Sequence, residues 1–182
     1  METIITYSAY HVTDANNVES IKKNNFTFQS SEEHWLGDGI YFFLDSALAK
    51  KWGESKPTYK FGSINKPIVL KANIVVDESE VIDMRFLDDY NAMKNAFDSY
   101  WCSVCSLNKA LDKANYKKIR CAFFNACIKK TGCKCLIAYL SERNNLTDYT
   151  EYYREFAFLK TPYMEVQMCV TDNSVINDIS EE

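Results

Sequence analysis

Imidazole chemistry has little to draw on in this 182-residue chain, which holds only two histidines, His11 and His34. A serine or cysteine hydrolase would have to draw its base from that pair, and no serine stands in a nucleophile-elbow context. Gly37-Asp38-Gly39, followed by Ile40-Tyr41-Phe42-Phe43, invites comparison with a phosphate-binding loop. A dinucleotide fingerprint needs a third glycine and a helix opening from the turn, whereas an aromatic strand follows here; no Gly-Lys-Ser/Thr loop occurs either. A glycine pair before a strand then means a tight turn or close backbone approach to a ligand. Glu165 lies in the apolar run YMEVQMCV, where by itself it pairs with a neighbouring base or faces solvent.

Cysteines offer a second kind of chemistry. Cys102-x-x-Cys105 and Cys133-x-Cys135 have half-site spacing for zinc, so a zinc-organised nucleic-acid module is one reading. Against it, Cys102 and Cys105 fall in a helical pattern beside apolar residues, and buried cysteine behaves as a small hydrophobe. No metal is expected. An odd count of seven cysteines without an export signal points to reduced thiols.

The elements that must position these residues can be read from periodicity. Residues 3–10 suit a short strand that ends at His11, and Asp14 can cap a helix to about residue 24, with Val18 and Ile21 inward. Asp45 can cap a helix in which Ala49 and Trp52 share a face, to about Gly53. Residues 67–76 alternate as a half-buried strand with Ile68, Leu70, Ala72, Ile74 and Val76 on one side, and 81–84 add a short one. From about 86 to 130 the period becomes helical, and residues 135–140 and 163–170 return to strand composition. Strands at both ends with helices between them define an α+β class.

Composition narrows the setting. The chain is 47% hydrophobic, enough for one domain with a continuous core, and the whole of residues 1–182 is expected to form it. No run of about 18 apolar residues occurs and no signal peptide precedes the first strand, so no membrane partner is expected and the location expected is cytoplasmic. A formal charge of -4 disfavours a uniformly basic, nucleic-acid-binding surface. Lys109, Lys113, Lys117, Lys118 and Arg120 form either a local basic groove or a solvated helix face.

Three separated pieces occur in one order: Tyr10-His11 with Thr13, then GDGIYFF, then YMEVQMCV. Together they resemble the ADP-ribosyltransferase superfamily, and within it the His-Tyr-Glu branch of diphtheria-type toxins and poly(ADP-ribose) polymerases. The resemblance covers roughly residues 5–55 and 155–176. It implies a split antiparallel β-sandwich of two small sheets, a cleft for NAD as co-substrate, and a helical insertion at about 84–132 covering one side. It also implies that Glu165 holds a ribose hydroxyl and stabilises the oxocarbenium-like transition state, and that Tyr41 stacks on nicotinamide. His11 would position a ribose hydroxyl, while Val12 and Thr13 follow it in the cofactor wall. Gly37 and Gly39 would let the backbone approach, and Trp52 would supply a second aromatic wall. Most relatives carry glycine where Val12 stands, a departure that restricts backbone approach.

The activity so implied is mono-ADP-ribosyl transfer from NAD to a protein, RNA or DNA acceptor with release of nicotinamide. Tyr163 two residues before Glu165 resembles the polymerase-like branch and disfavours arginine as acceptor. Tyr163, Tyr153 and Arg154 are candidate acceptor contacts, and Tyr149, Tyr152, Phe156, Arg143 and Lys160 extend an aromatic, basic stretch suited to nucleic acid. The resemblance further suggests a toxin or phage-conflict effector, in phage defence or a toxin–antitoxin pair, with an antitoxin or inhibitor protein as partner. Alternatives are an NAD glycohydrolase, in which water is the acceptor, and a non-catalytic binding module of the same fold.

Overall fold

The computed structural model describes residues 2–28, 30–54, 64–107, 116–140 and 165–182. In chain order its elements are β1 (Ile4–Asp14), α1 (Val18–Asn24), β2 (Ile40–Phe43), α2 (Ser46–Glu54), β3 (Pro67–Asp77) and β4 (Val81–Asp83). Then come α3 (Leu87–Leu107), α4 (Tyr116–Thr131), β5 (Cys135–Leu140), β6 (Glu165–Val170) and β7 (Ile176–Glu181). The strands form one mixed sheet in the order β4-β5-β6-β2-β1-β3-β7, antiparallel except for the parallel β4/β5 pair.

Alternation in β1 and β3 builds the centre. The two strands pair from Ile4↔Asp77 to Asp14↔Pro67, and alternate β3 residues Leu70, Ala72 and Ile74 are fully buried. Burying each of the larger side chains contributes roughly 1.5–3 kcal/mol. Pairing along this whole length carries β1 past the end expected from composition, so His11 lies inside the strand, opposite Leu70, rather than at its terminus. On the other side β1 meets β2 at a single registered pair, Tyr10↔Phe43. The two separate sheets expected are therefore one sheet, composed of ladders β4-β5-β6-β2 and β1-β3-β7 joined at a one-pair seam.

The helices pack on particular parts of this frame. Phe97 of α3 and Phe123 and Phe124 of α4 pack with Leu136, Ala138 and Cys169, covering the β5/β6 part of the sheet. Leu48 and Ala49 of α2 pack with Val12 and Phe43 beside the seam. Val18 of α1 and the following Phe26 join the main core with Ala9, Phe42 and Leu70. β7 escaped sequence detection because INDISE is mostly polar and exposed; it lies at the sheet edge on β3, with a register shift between Lys71 and Asn73.

One local device recurs at three strand ends. Asp14, Asp77 and Asp172 each accept a hydrogen bond from the backbone N–H two residues on, at Asn16, Ser79 and Ser174, opening a short 3-10 turn. Asp14 also accepts from the Asn65 and Lys66 amides at 2.7 and 3.1 Å, fastening the β1 exit to the β3 entry. Backbone N–H donors hold Asp14 below the usual carboxylate range; the Ser79 hydroxyl and amide do so for Asp77, and the Ser174 amide for Asp172. A lowered carboxylate contributes stability above its unfolded value of about 3.9, and that contribution is lost as pH falls through the lowered folded values. Unfolding midpoints measured between pH 7 and 2.5 should therefore drop steeply below about pH 4. Replacing all three residues by Asn should shrink that acid-dependent loss; an unchanged acid profile would count against the device.

Candidate functional site

The seam leaves a cavity of about 420 Å³, within the size range of small-molecule sites. β1 contributes His11, Val12 and Thr13, β2 contributes Ile40 and Tyr41, and Gly39 and His34 come from the loop before β2. The opposite wall comes from Asn17 just before α1, from α1 and from the residues after it, with Asn17, Ser20, Asn25 and Thr27 giving neutral amides and hydroxyls and Phe26 an apolar surface. No Lys, Arg, Asp or Glu lines the cavity among the described residues.

His11 holds the seam. Its Nδ1–H donates to the Tyr41 carbonyl at 2.8 Å, so a side chain takes a bond that a strand backbone could otherwise have made. Phe26 and Phe42 meet the ring edge-on at 4.9 and 5.7 Å. Burial pushes the imidazole below its ordinary pKa, opposed by the Tyr41 carbonyl, so the ring is neutral at neutral pH. With Nδ1 protonated, Nε2 is the acceptor nitrogen, suited to a sugar hydroxyl.

Tyr41 fixes the loop that precedes it. Its hydroxyl donates to Gly37 O at 2.8 Å and accepts from the Leu36 amide at 2.7 Å, and burial raises its pKa. Its ring lies 5.4 Å from that of His34. The two glycines answer to protein packing. Gly37 has φ +86, and a Cβ there would meet Asn125 Oδ1 at 2.6 Å. A Cβ on Gly39 would meet Cys169 Sγ at 2.5 Å and Val170 O at 2.7 Å. Close backbone approach is thus required toward α4 and β6; Gly39 also lines the cavity, whereas Gly37 does not.

The other candidates divide. Val12 and Thr13 line the cavity beside His11; Val12 is buried against α2, and Thr13 Oγ1 accepts from Asn17 Nδ2 at 3.4 Å. Trp52 packs on Phe43 at 6.1 Å and is absent from the lining. Glu165, the first residue of β6, pairs with Leu140, accepts from Gln167 Nε2 at 3.4 Å, and is also absent from the lining. Tyr10↔Phe43 sets His11 level with Phe42, whose β6 partner is Met168. Glu165 therefore stands two strands across and three residues along from His11, roughly 10 Å in each direction. Tyr163, Tyr153 and Arg154, with Tyr149, Tyr152, Phe156, Arg143 and Lys160, lie outside the described residues.

Residues not anticipated from the sequence complete the site. His34 enters the cavity, and Asn17, Asn25 and Phe26 form the far wall. The insertion expected to cover the cleft instead braces the loop beside it. Asn125 of α4 accepts from the Asp38 amide at 2.7 Å and donates to Asp38 Oδ2 at 3.1 Å. Arg120 lies over the Trp35 ring at 4.1 Å and donates to Glu33 O at 3.3 Å. No local signal marks Asn125, because its partner is 87 residues away in the chain.

Where it is described, the basic stretch is a solvated helix face rather than a groove: Lys117 and Lys118 are exposed and pair with Glu33 and Glu32, and Arg120 is buried. Lys109 and Lys113 lie outside the described residues. Among the cysteines, Cys121, Cys133, Cys135 and Cys169 are buried, and burial pushes the Cys135 thiol up to about 12. Among the described residues no group of three or more His, Cys, Asp or Glu side chains is placed to share a metal ion. No helix there is long and apolar enough to cross a membrane.

The chain is 28% identical over 114 residues to the uncharacterized protein MJ0359 of Methanocaldococcus jannaschii, a match covering 62% of this chain and 51% of the relative. The chain thus spans about half the length of that protein. No family model matches, and no solved structure matches.

Two measurements probe the seam. Gly39→Ala should destabilise the protein by about 1–3 kcal/mol in urea denaturation, since the added methyl meets backbone as well as a buried thiol. For His11, whose folded pKa is depressed, the unfolded chain takes up a proton more readily. Stability should therefore fall as pH drops through the unfolded histidine value of about 6.5. The slope of unfolding midpoint against pH between 7.5 and 5 should flatten in His11→Gln; an equal slope in both proteins would refute the assignment.

Proposed function

We propose that the seam cavity binds the nicotinamide end of NAD and that the protein transfers ADP-ribose from NAD to a macromolecular acceptor. The observation carrying this reading is the convergence, in one cavity, of His11, Val12, Thr13, Gly39 and Tyr41, which are distributed over two sequence motifs. In this proposal the finer fold is that of the ADP-ribosyltransferases, with the one-pair seam corresponding to the split between their sheets. His11 Nε2 accepts a hydrogen bond from a ribose hydroxyl, and Tyr41 presents its ring to the nicotinamide. The neutral amides and hydroxyls opposite suit a carboxamide and a sugar.

Breaking the bond between nicotinamide and ribose develops positive charge on the sugar, so a carboxylate oriented there lowers the barrier. Glu165 takes that role in this reading. It reaches a ligand that extends from the cavity along the β2/β6 ladder. The acceptor is a protein, RNA or DNA; with water the same chemistry becomes NAD hydrolysis. A role as a toxin or phage-conflict effector, with an inhibitor protein as partner, belongs to the same proposal. A second reading, a binding module without catalysis, is favoured by the position of Glu165 outside the cavity lining.

Labelled NAD incubated with the protein and with separate protein, RNA and DNA pools tests both readings. Nicotinamide release is expected, with a loss of about 10²-fold or more in Glu165→Ala at little cost in NAD affinity. His11→Ala should weaken NAD binding. No nicotinamide release from any pool, together with no NAD binding by calorimetry, would refute the NAD-site reading, whereas NAD binding without release would favour the non-catalytic module.

A further inference from the structure

Resting on the reading above, we infer that the exposed apolar cluster at the start of α3 docks the acceptor, and that the acceptor is a protein presenting an apolar side chain flanked by lysine or arginine. Phe86, Leu87 and Tyr90 are 66%, 70% and 51% exposed. Single exposed apolar residues are ordinary on a protein surface, but these fall within five consecutive positions. Phe86 and Tyr90 stand one helical turn apart, with the Tyr90 amide donating to Phe86 O at 3.0 Å, and Leu87 lies between them in the chain. The core takes a different set from α3, since Met93, Phe97 and Tyr100 pack toward β5 and β6. Folding therefore leaves the first cluster in water.

Its place in the fold ties it to Glu165. Ile137 of β5 opposes Asp83 of β4, and the Met84 amide donates to Ile137 O at 2.9 Å, so the chain enters α3 at the level where β5 reaches Tyr139. Tyr139, itself 47% exposed, opposes Val166, and the next residue, Leu140, opposes Glu165. The cluster and the candidate carboxylate thus share one end of the sheet with β5 between them, roughly 10–15 Å apart at ordinary strand spacing. An extended loop of a docked protein covers that distance in about four residues.

Charge selects the partner. Arg85 donates to both carboxylate oxygens of Asp83, at 2.8 Å from Nε and 2.6 Å from Nη2, and Lys94, one turn beyond Tyr90, pairs with Asp98 at 2.6 Å. Asp89 holds the Asp83 amide at 2.8 Å, whereas Asp88 is exposed and has no ion pair among the described residues. Both acids lie in the first turn of α3, where they offset the positive end of the helix. Each described cation beside the cluster is matched by an acid, a poor surface for the phosphates of RNA or DNA. An apolar anchor with basic flanks complements both the aromatic surface and Asp88.

Two assays on the full chain separate this inference from the NAD reading. Without NAD, a fluorescent peptide of leucine and tryptophan flanked by lysines should bind about tenfold more tightly than its glutamate-flanked counterpart, and Phe86→Ser/Leu87→Ser should weaken it by about tenfold or more. Asp88→Lys should narrow the gap between the two peptides. With labelled NAD, label should enter the protein pool and not the RNA or DNA pools. The double variant should need about tenfold more pool protein for half-maximal labelling, with NAD affinity and the urea unfolding midpoint unchanged. Equal binding of the two peptides, or equal binding by wild type and the double variant, would overturn the docking surface. Label in RNA or DNA, or NAD hydrolysis with no acceptor labelled, would overturn the acceptor assignment and leave the NAD reading standing. Absence of NAD binding and nicotinamide release in wild type would remove the NAD reading and the acceptor role with it, while the peptide assay still decides the surface.

Discussion

One hydrogen bond governs the shape of the site: His11 Nδ1 to the Tyr41 carbonyl. β1 and β2 are neighbours in the sheet, and full pairing between them would close the space from which the cavity is made. A side chain of the right length satisfies the carbonyl instead, so the strands diverge after Tyr10↔Phe43 without leaving that buried polar group unpaired. The imidazole is at once the spacer that separates the ladders and a wall of the space it creates. Phe26 and Phe42, whose rings are 5.2 Å from each other, pack together against the imidazole and hold the spacer in place.

The second wall depends on longer-range packing. Residues 30–39 form no strand or α-helix, so their position is set by side chains: the Tyr41 hydroxyl within the loop, and Asn125 and Arg120 from α4. Polar partners serve here because a loop without ladder bonds must satisfy its amides and carbonyls some other way. Apolar packing of Cys169 and Leu136 beneath α4 then decides where those partners stand.

Much of this was legible in the sequence, and the limits have physical causes. Alternation along residues 67–76 marked β3, and the four-residue repeat of Ile119, Phe123 and Cys127 marked α4, because each buries one face. The end of β1 was placed too early, since pairing with β3 extends a strand beyond what its own composition suggests. β7 carried no pattern to detect, being a polar edge. At the site, His11 and Tyr41 were recognisable from their motifs and do meet. The glycines were recognisable as close-approach residues, but what they approach is α4 and β6, a fact held in residues 88 or more positions downstream. His34 was read as structural because neither its spacing nor its neighbours differ from those of an ordinary loop histidine; only the fold brings it into the cavity.

The dependence of the 30–39 loop on Asn125 and Arg120 has a kinetic consequence. Contacts separated by 87 residues close late, after local helices and hairpins have formed. During synthesis, a nascent chain that has exposed β1 and β2 has the spacer histidine but lacks the helix that fixes the opposite rim. β6, whose Cys169 and Val170 back Gly39, arrives later still. The cavity is therefore completed only once β6 has been made, and a chain that stops short of β6 holds the sequence motifs without the pocket they line.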